Sequence, residues 1–335
     1  MARRDRTTGL PKPRARAANT SRGRFSLNET QQLRLVWIGG GLLIVLLLGL
    51  LGYRWVNSQY LQPNKTVLTV GEQKFSLEYY TDRLFLAAQA NSGAGTNISI
   101  LEQSLFGDLE EEAIAKIIAQ ERGLTVSDAE VTAEIAAQLG VPAGDAGSSF
   151  DTLYRQRLQT TKMSDDHYRR YTEAQVWVSK LKDALASDIG TKGELVTIRG
   201  VVSPTQADAD KVLERVKNGD NLGTVAQEES ADLTSRQKDG LFDPTPTRLL
   251  PDAVRAAIAD KPAGDELFGP VNVAGNFWVF RIDAREKDAE LSETQKSQLS
   301  DFALQDAVKD KRPSVKIKRS MSNSDYDWVN DHVGK

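Results

Sequence analysis

Apolar positions along this chain follow three patterns, and each predicts a different kind of structure. Residues 35–53 read LVWIGGGLLIVLLLGLLGY, 19 positions without a charge between Arg34 and Arg54. At about 1.5 Å per helical residue this run is roughly 28 Å long, close to the hydrocarbon thickness of a bilayer, so it predicts a transmembrane helix. Residues 66–70 and 73–76 instead alternate apolar and polar side chains around Gly71-Glu72, which predicts a short hairpin. From residue 77 the period lengthens to that of a helix. One helix is predicted at 77–89 with Tyr80, Leu84 and Ala87 on one face. The next, at 98–122, carries Leu101, Leu105, Leu109, Ile114, Ile117 and Ile118, with Gly123 placed to end it.

Ser127 and Glu130 have the spacing of a capping box. Behind them Val131, Ile135 and Leu139 recur at i, i+4 and i+8 before Gly140 closes the helix. Residues 150–160 predict a short helix. Ser164 then caps a longer one to about residue 187, with Tyr168, Tyr171, Ala174, Val178 and Leu181 inward. At Gly193 the texture changes. Residues 194–202 (ELVTIRGVV) are β-branched and read as a strand. Helices follow at 205–217 (Ala209, Val212, Leu213 and Val216 inward), 222–228 and 252–259, then strands at 267–273 and 276–284. A last helix at 292–309 buries Leu299, Phe302, Ala303 and Ala307, and Trp328 and Val329 add apolar surface near the end. The expected class is α+β: a tail at 1–34, a span at 35–53, a connector and hairpin at 54–76, a helical region at 77–188, a βαααββ domain at 193–286, and a C-terminal helix and tail at 290–335.

Charge gives the span an orientation. Residues 1–34 carry nine basic side chains against Asp5 and Glu29, whereas Arg54 and Lys65 alone follow the apolar run closely. Excess Lys and Arg stays on the cytoplasmic side, so the bulk of the chain is expected outside the cytoplasm. The run is longer than the apolar core of a secretory signal, and bulky Tyr53, Trp55 and Tyr60 follow it instead of a small-residue cleavage site. An uncleaved signal anchor in the lipid bilayer is the expectation. The tail is +7 in a chain at −3, so the remainder stands at about −10, which argues against nucleic acid as a partner. There is no cysteine, and His167 and His332 are the only histidines, so neither disulfides, thiol chemistry, a metal site nor a cofactor is expected.

Residues 193–286 resemble the parvulin, or PpiC-like, family of peptidyl-prolyl isomerases. The likeness is carried by TIRGVVS at 197–203, QADADKVLERVKNGDNLGTVAQEES at 206–230, LPDAVRAAI at 250–258 and AGDELFGPVNVAGNFWVFRID at 263–283. The flanks, GLTVSDAEVTAEI at 123–135, MSDDHYRRYTEAQVWVSKL at 163–181 and LSETQKSQLSDFALQDAV at 291–308, resemble the chaperone region of SurA, PrsA, PpiD and their relatives. The resemblance implies a folding factor acting on unfolded or newly translocated polypeptides.

It also implies a site for proline-containing segments. Rotation about an amide faces a barrier of about 18–20 kcal/mol from C–N resonance and needs no nucleophile. It needs a desolvated pocket for the proline ring and a polar group at the rotating carbonyl, so that the twisted amide is bound best. On the family's pattern Asp232 is the acidic catalytic candidate, and Leu241, Phe242, Leu249, Leu250, Val254 and Phe277 fall near the pocket. The pattern is broken, however. The family's two strand histidines are replaced by Gly200 and Phe277, its pocket phenylalanine by Ala253, and its glycine-rich loop is cut to residues 239–242 (DGLF). A domain that binds polypeptide without efficient isomerisation is therefore expected. An active isomerase and a non-catalytic membrane adaptor are the alternatives. Unpartnered amphipathic faces suggest client contacts at Leu84 and Phe85. Ser235 and Lys238 also match the S-x-x-K spacing of Ser/Lys hydrolases, a pattern that recurs by chance.

Overall fold

The computed structural model describes residues 60–91, 98–142 and 148–333, together with Leu46 and Gly49. The basic tail at 1–34, the apolar run at 35–53 apart from those two positions, and residues 54–59, 92–97, 143–147, 334 and 335 lie outside the described residues. Among the described residues no helix is long and apolar enough to cross a membrane. The chain forms two compact units, 1–61 and 62–335. In the first, Leu46 and Gly49 are helical, and Tyr60 and Leu61 are exposed.

The second unit opens with the hairpin β1 (Thr66–Val70) and β2 (Gln73–Ser76), antiparallel with Thr69 opposite Lys74. Five helices follow: α1 (Leu77–Ala90), α2 (Ile98–Glu121), α3 (Asp128–Gln138), α4 (Ser148–Thr161) and α5 (Asp165–Ile189). Their starts are set by local chemistry. Ser76 accepts from the Tyr79 N–H and Ser164 from the His167 N–H, each at 3.2 Å. At α3 the capping box is complete: the Ser127 hydroxyl accepts from the Glu130 N–H at 3.3 Å, and the Glu130 carboxylate accepts from the Ser127 N–H at 2.8 Å.

β3 (Lys192–Ser203) leads into the second lobe, which continues through α6 (Gln206–Lys217), α7 (Leu222–Glu229), the single turn α8 (Leu233–Arg236), β4 (Thr245–Pro246), α9 (Asp252–Ala257), β5 (Phe268–Val273) and β6 (Asn276–Glu290). Its antiparallel sheet has the order β4-β3-β6-β5. One face, with Val201 and Val279, packs on α6 and α7. The other, with Val196, Ile198, Phe280 and Ile282, packs on α9. β6 runs to Glu290, six residues past its expected end, because Lys192 and Gly193 of β3 pair with Glu290 and Ala289. The lobe is thus entered and left through one two-stranded ribbon.

The chain then returns to the first lobe through α10 (Glu293–Lys311), β7 (Ile317–Arg319) and α11 (Asn323–His332). β7 pairs with the free edge of β1, Lys318 opposite Thr69, giving a three-stranded sheet β2-β1-β7. The hairpin is therefore part of the lobe's core. Val67, Leu68, Val70 and Phe75 lie in one core with Tyr79, Tyr80, Leu109, Ile114, Ile135, Leu181 and, from the C-terminus, Val308, Trp328 and Val329. Leu109, Ile114 and Leu181 have no exposed surface, and burying each side chain stabilises the fold by about 1.5–3 kcal/mol.

Two carboxylates fasten this return. Glu110 on α2 is fully buried and accepts from Arg312, and from Arg319 Nε at 2.5 Å. Asp325 is buried too and meets Lys65 Nζ at 2.5 Å. Burial pushes the Asp325 carboxyl up, but Lys65 and the hydroxyl and N–H of Ser322 outweigh it and leave the group below the usual carboxylate range. A buried acid that loses its cations is destabilising, and here both arginines are half-exposed and can rehydrate. Glu110→Ala is expected to cost about 2–3 kcal/mol in chemical denaturation and to free residues 312–333 to protease. A loss below about 0.5 kcal/mol would show that apolar packing alone holds the C-terminus.

The α3 cap makes a second prediction. Hydrogen bonds from Lys180 and from the Ser127 backbone and hydroxyl hold the Glu130 carboxyl down at about 2, against 4.5 ordinarily. A depressed folded pKa contributes stability above the unfolded value and loses it as pH falls through the folded one. The contribution should fade between pH 4.5 and about 2. Carboxyl NMR titration should find a midpoint near the lower figure and its return upward in Lys180→Ala; an ordinary midpoint in the unmodified chain would refute the link.

Candidate functional site

The second lobe presents an apolar shelf on the α9 side of its sheet. Phe242, from the loop after α8, stacks on Trp278 of β6 with ring centres 5.0 Å apart and planes 20° from parallel, and both rings are half-buried. Beneath them lie Leu250, Val254 and Ile258, all buried, and a second stacked pair, Phe268 and Phe280, at 5.5 Å. Val271 and Val273 pack against the same cluster from β5. The result is a partly open aromatic surface on a rigid base, chemically suited to an apolar or proline ring.

Backbone bonds place Phe242. Its N–H donates to Ile198 O at 2.9 Å, and the Gly200 N–H donates to Gly240 O at 2.9 Å, so residues 240–242 lie along β3. Arg199 adds a bond from Nη1 to Asp239 O at 2.7 Å. The approach is close enough to demand glycine at 240, and β6 demands it at 200. A Cβ at Gly240, where φ is +76°, would stand 2.5 Å from Ala226 Cβ and 2.7 Å from Gly200 O. A Cβ at Gly200 would stand 2.6 Å from Phe280 Cβ and 2.7 Å from Val279 O. The position where the family pattern expects a histidine is therefore filled by the neighbouring strand.

Asp232 is half-buried and caps α8: its carboxylate accepts from the Ser235 N–H at 2.7 Å. The loop before it is tied to the end of β3, with Ala231 N–H donating to Val202 O at 2.8 Å and the Ser230 hydroxyl accepting from Val202 N–H at 3.2 Å. One oxygen of the carboxylate thus has a structural task at the start of α8. On the opposite sheet face, Arg199 and Arg281 share Asp283 at 2.8 and 2.9 Å.

Of the expected pocket residues, the structure brings Phe242, Leu250 and Val254 together. Leu241 bridges to Arg199 at the sheet edge, and Leu249 sits half-buried in a 3-10 turn outside the apolar clusters. Ala253 is exposed on α9. Phe277 is not in the pocket: it packs with Val201 and Val212 on the α6–α7 side. Successive strand residues face opposite ways, so its neighbour Trp278 occupies the shelf instead. Trp278 could have been found from the sequence, since it shares the phase of Phe280 and Ile282. Leu84 is also corrected, because it has no exposed surface and lies inside the helical core, whereas Phe85 is half-buried. The hydrolase pair fails as well. Ser235 is buried, and Lys238 points its ammonium at Asp243, 2.7 Å away.

A second surface lies in the helical lobe, where α2, α5 and α10 border a groove of about 670 Å³. Asp108, Glu111 and Ala115 line one wall, Leu304 and Val308 the other, with Val178 between. Among the described residues no three His, Asp or Glu side chains gather as a metal site.

Residues 26–182 match the family model of the SurA-like N-terminal domain, and residues 200–284 match that of the PPIC-type PPIase domain. No curated protein sequence is detectably similar to the chain. Among solved structures, the peptidyl-prolyl isomerase PrsA of Bacillus anthracis is similar at 14% identity over 63% of this chain and 99% of its own, with a TM-score of 0.45. The foldase PrsA of Streptococcus pneumoniae is similar at 15% identity over 74% and 89%, TM-score 0.31. A structure from the work on the SurA-like chaperones PEB4 and Cj1289 of Campylobacter jejuni is similar at 13% over 77% and 100%, TM-score 0.25. Superpositions this loose carry no functional argument.

The closed contact at Gly200 predicts that even one methyl group is resisted there. Gly200→Ala should cost about 1–3 kcal/mol by thermal or chemical denaturation, the usual penalty of overpacking. Unchanged stability would mean that the strand yields and that the histidine position is open.

Proposed function

The chain belongs to the SurA-like family that carries a PPIC-type peptidyl-prolyl isomerase domain, and from that premise we propose a membrane-anchored, extracytoplasmic folding factor whose isomerase-type domain holds polypeptide rather than turning prolyl bonds over. The observation that carries this reading is the contact at Gly200, where strand β6 fills the space a histidine side chain would need. With Phe277 turned to the far face, neither family histidine position offers a polar group to the shelf. Asp232 gives one carboxylate oxygen to the α8 cap. A site that grips a proline ring equally in its planar and twisted amide states binds it without accelerating rotation. The Phe242–Trp278 stack supplies the grip, and the groove of the helical lobe offers a second place for an extended chain.

The anchor and its orientation rest on the uncharged run at 35–53 and the excess of basic residues before it. Tethering would keep the holding surfaces close to chains emerging at the membrane. It would also raise their effective concentration there without any new contact.

The test is aggregation of a chemically unfolded client diluted into the full chain in mild detergent, followed by light scattering. Suppression at near-equimolar protein is expected. Trp278→Ala should weaken it about twofold or more for a proline-rich client while far-UV circular dichroism stays unchanged. No suppression at any ratio would remove the folding-factor reading and leave the adaptor reading in front.

A further inference from the structure

The groove of the helical lobe has a chemical character that the shelf lacks. Asp108, Glu111 and Ala115 follow one another at i, i+3 and i+7 along a single face of α2. Leu304 and Val308 follow at i and i+4 on α10. The α2 stretch is about 10 Å long and the α10 side, lined from Asp301 to Arg312, about 16 Å, room for about three to five residues of extended chain. The floor is aliphatic, and the charge is uneven. Several ions at the rim are already matched: Glu112 by Arg83 through two bonds of 2.9 and 2.7 Å, Asp301 by Lys182 at 2.6 Å, and Arg312 by Glu110. Asp108 and Glu111 on the α2 wall, exposed and one turn apart, have no ion pair among the described residues, and neither does Lys309 on the α10 wall, so the unmatched charge is two carboxylates against one ammonium. Partial desolvation and the adjacent Glu112 push the Asp108 carboxyl above its usual range, with Arg83 offsetting only part. A carboxylate so placed is relieved by an incoming cation.

We propose that this groove selects client segments of mixed cationic and aliphatic character, a Lys or Arg set against Asp108 and Glu111 and an aliphatic side chain against Val178, Leu304 and Val308. The inference rests on the folding-factor reading and adds a selectivity to it. The acidic wall would steer basic segments in and the aliphatic floor would hold them, so that association depends on salt and residence on apolar burial. Acidic or uncharged segments gain nothing from the α2 wall and are left to the aromatic shelf.

The experiment is fluorescence anisotropy with two labelled peptides of identical aliphatic content, one flanked by lysines and the other by glutamates. Each is titrated with the full chain in mild detergent and with the double variant Asp108→Lys/Glu111→Lys. The lysine peptide should bind the unmodified chain at least about tenfold more tightly than the glutamate peptide, and the double variant should reverse that order. Raising salt from 50 to 500 mM should shrink the difference. Equal binding of the two peptides, or a preference that ignores the charge reversal, overturns the proposal. Unchanged circular dichroism and thermal midpoint separate a lost site from a lost fold. The aggregation assay separates this inference from the reading beneath it. A chain that protects unfolded clients yet ignores peptide charge refutes the selectivity alone. A chain that sorts the peptides by charge yet protects no client keeps the groove as a cationic-peptide site and refutes the folding factor.

Discussion

A single buried carboxylate holds the two ends of the folded body together. Glu110 sits in the middle of α2 with no exposed surface, and the cations that satisfy it, Arg312 and Arg319, arrive from some two hundred residues further along the chain. A charge cannot stay in such a place without partners. Burial of α2 and return of the C-terminus are therefore coupled. The Lys65–Asp325 pair and the β1–β7 ladder repeat the arrangement at the outer edge of the same sheet. Everything between residues 190 and 292 is consequently an insertion in a helical lobe that is incomplete until the chain has come back.

That topology explains how the two candidate surfaces are positioned. The inserted lobe hangs on the Lys192–Glu290 ribbon, and α10 bridges both lobes. One side of α10 faces the insertion, where Gln295 donates to Pro244 O at 2.9 Å and Arg248 lies 5.8 Å from the Phe302 ring. Its other side supplies Leu304 and Val308 to the groove. Within the insertion, the seating of residues 240–242 on β3 places Phe242 over Trp278. The Gly200 position is closed from the other side of β3, by Val279 and Phe280 of β6. The shelf and the closed position therefore come from two separate contacts of the same strand.

The local features of this structure were legible in the sequence because local chemistry makes them. The Ser127–Glu130 box, the Ser164 cap and the β1–β2 turn at Gly71 all stand where short-range spacing puts them. What failed to show depends on distant partners. β7 is three residues long, and the open edge of β1 is what recruits it. The polar end of β6 is a strand only because β3 begins opposite it. The site was half legible. Family pattern located Phe242, Leu250 and Val254 but counted Phe277 among them, when strand phase puts Trp278 there. Leu84 illustrates the opposite hazard: an amphipathic stripe marks a face that needs covering, and in this lobe the fold itself covers it.

Whether the inserted domain holds prolyl segments without isomerising them is decided by NMR exchange spectroscopy on a prolyl peptide mixed with the full chain. Binding should shift and broaden the cis and trans resonances. The two forms should still interconvert at the uncatalysed pace, tens of seconds or longer, so that no exchange cross-peaks appear within about a second. Strong cis–trans cross-peaks at substoichiometric protein would contradict the account and show that the domain catalyses rotation without either histidine.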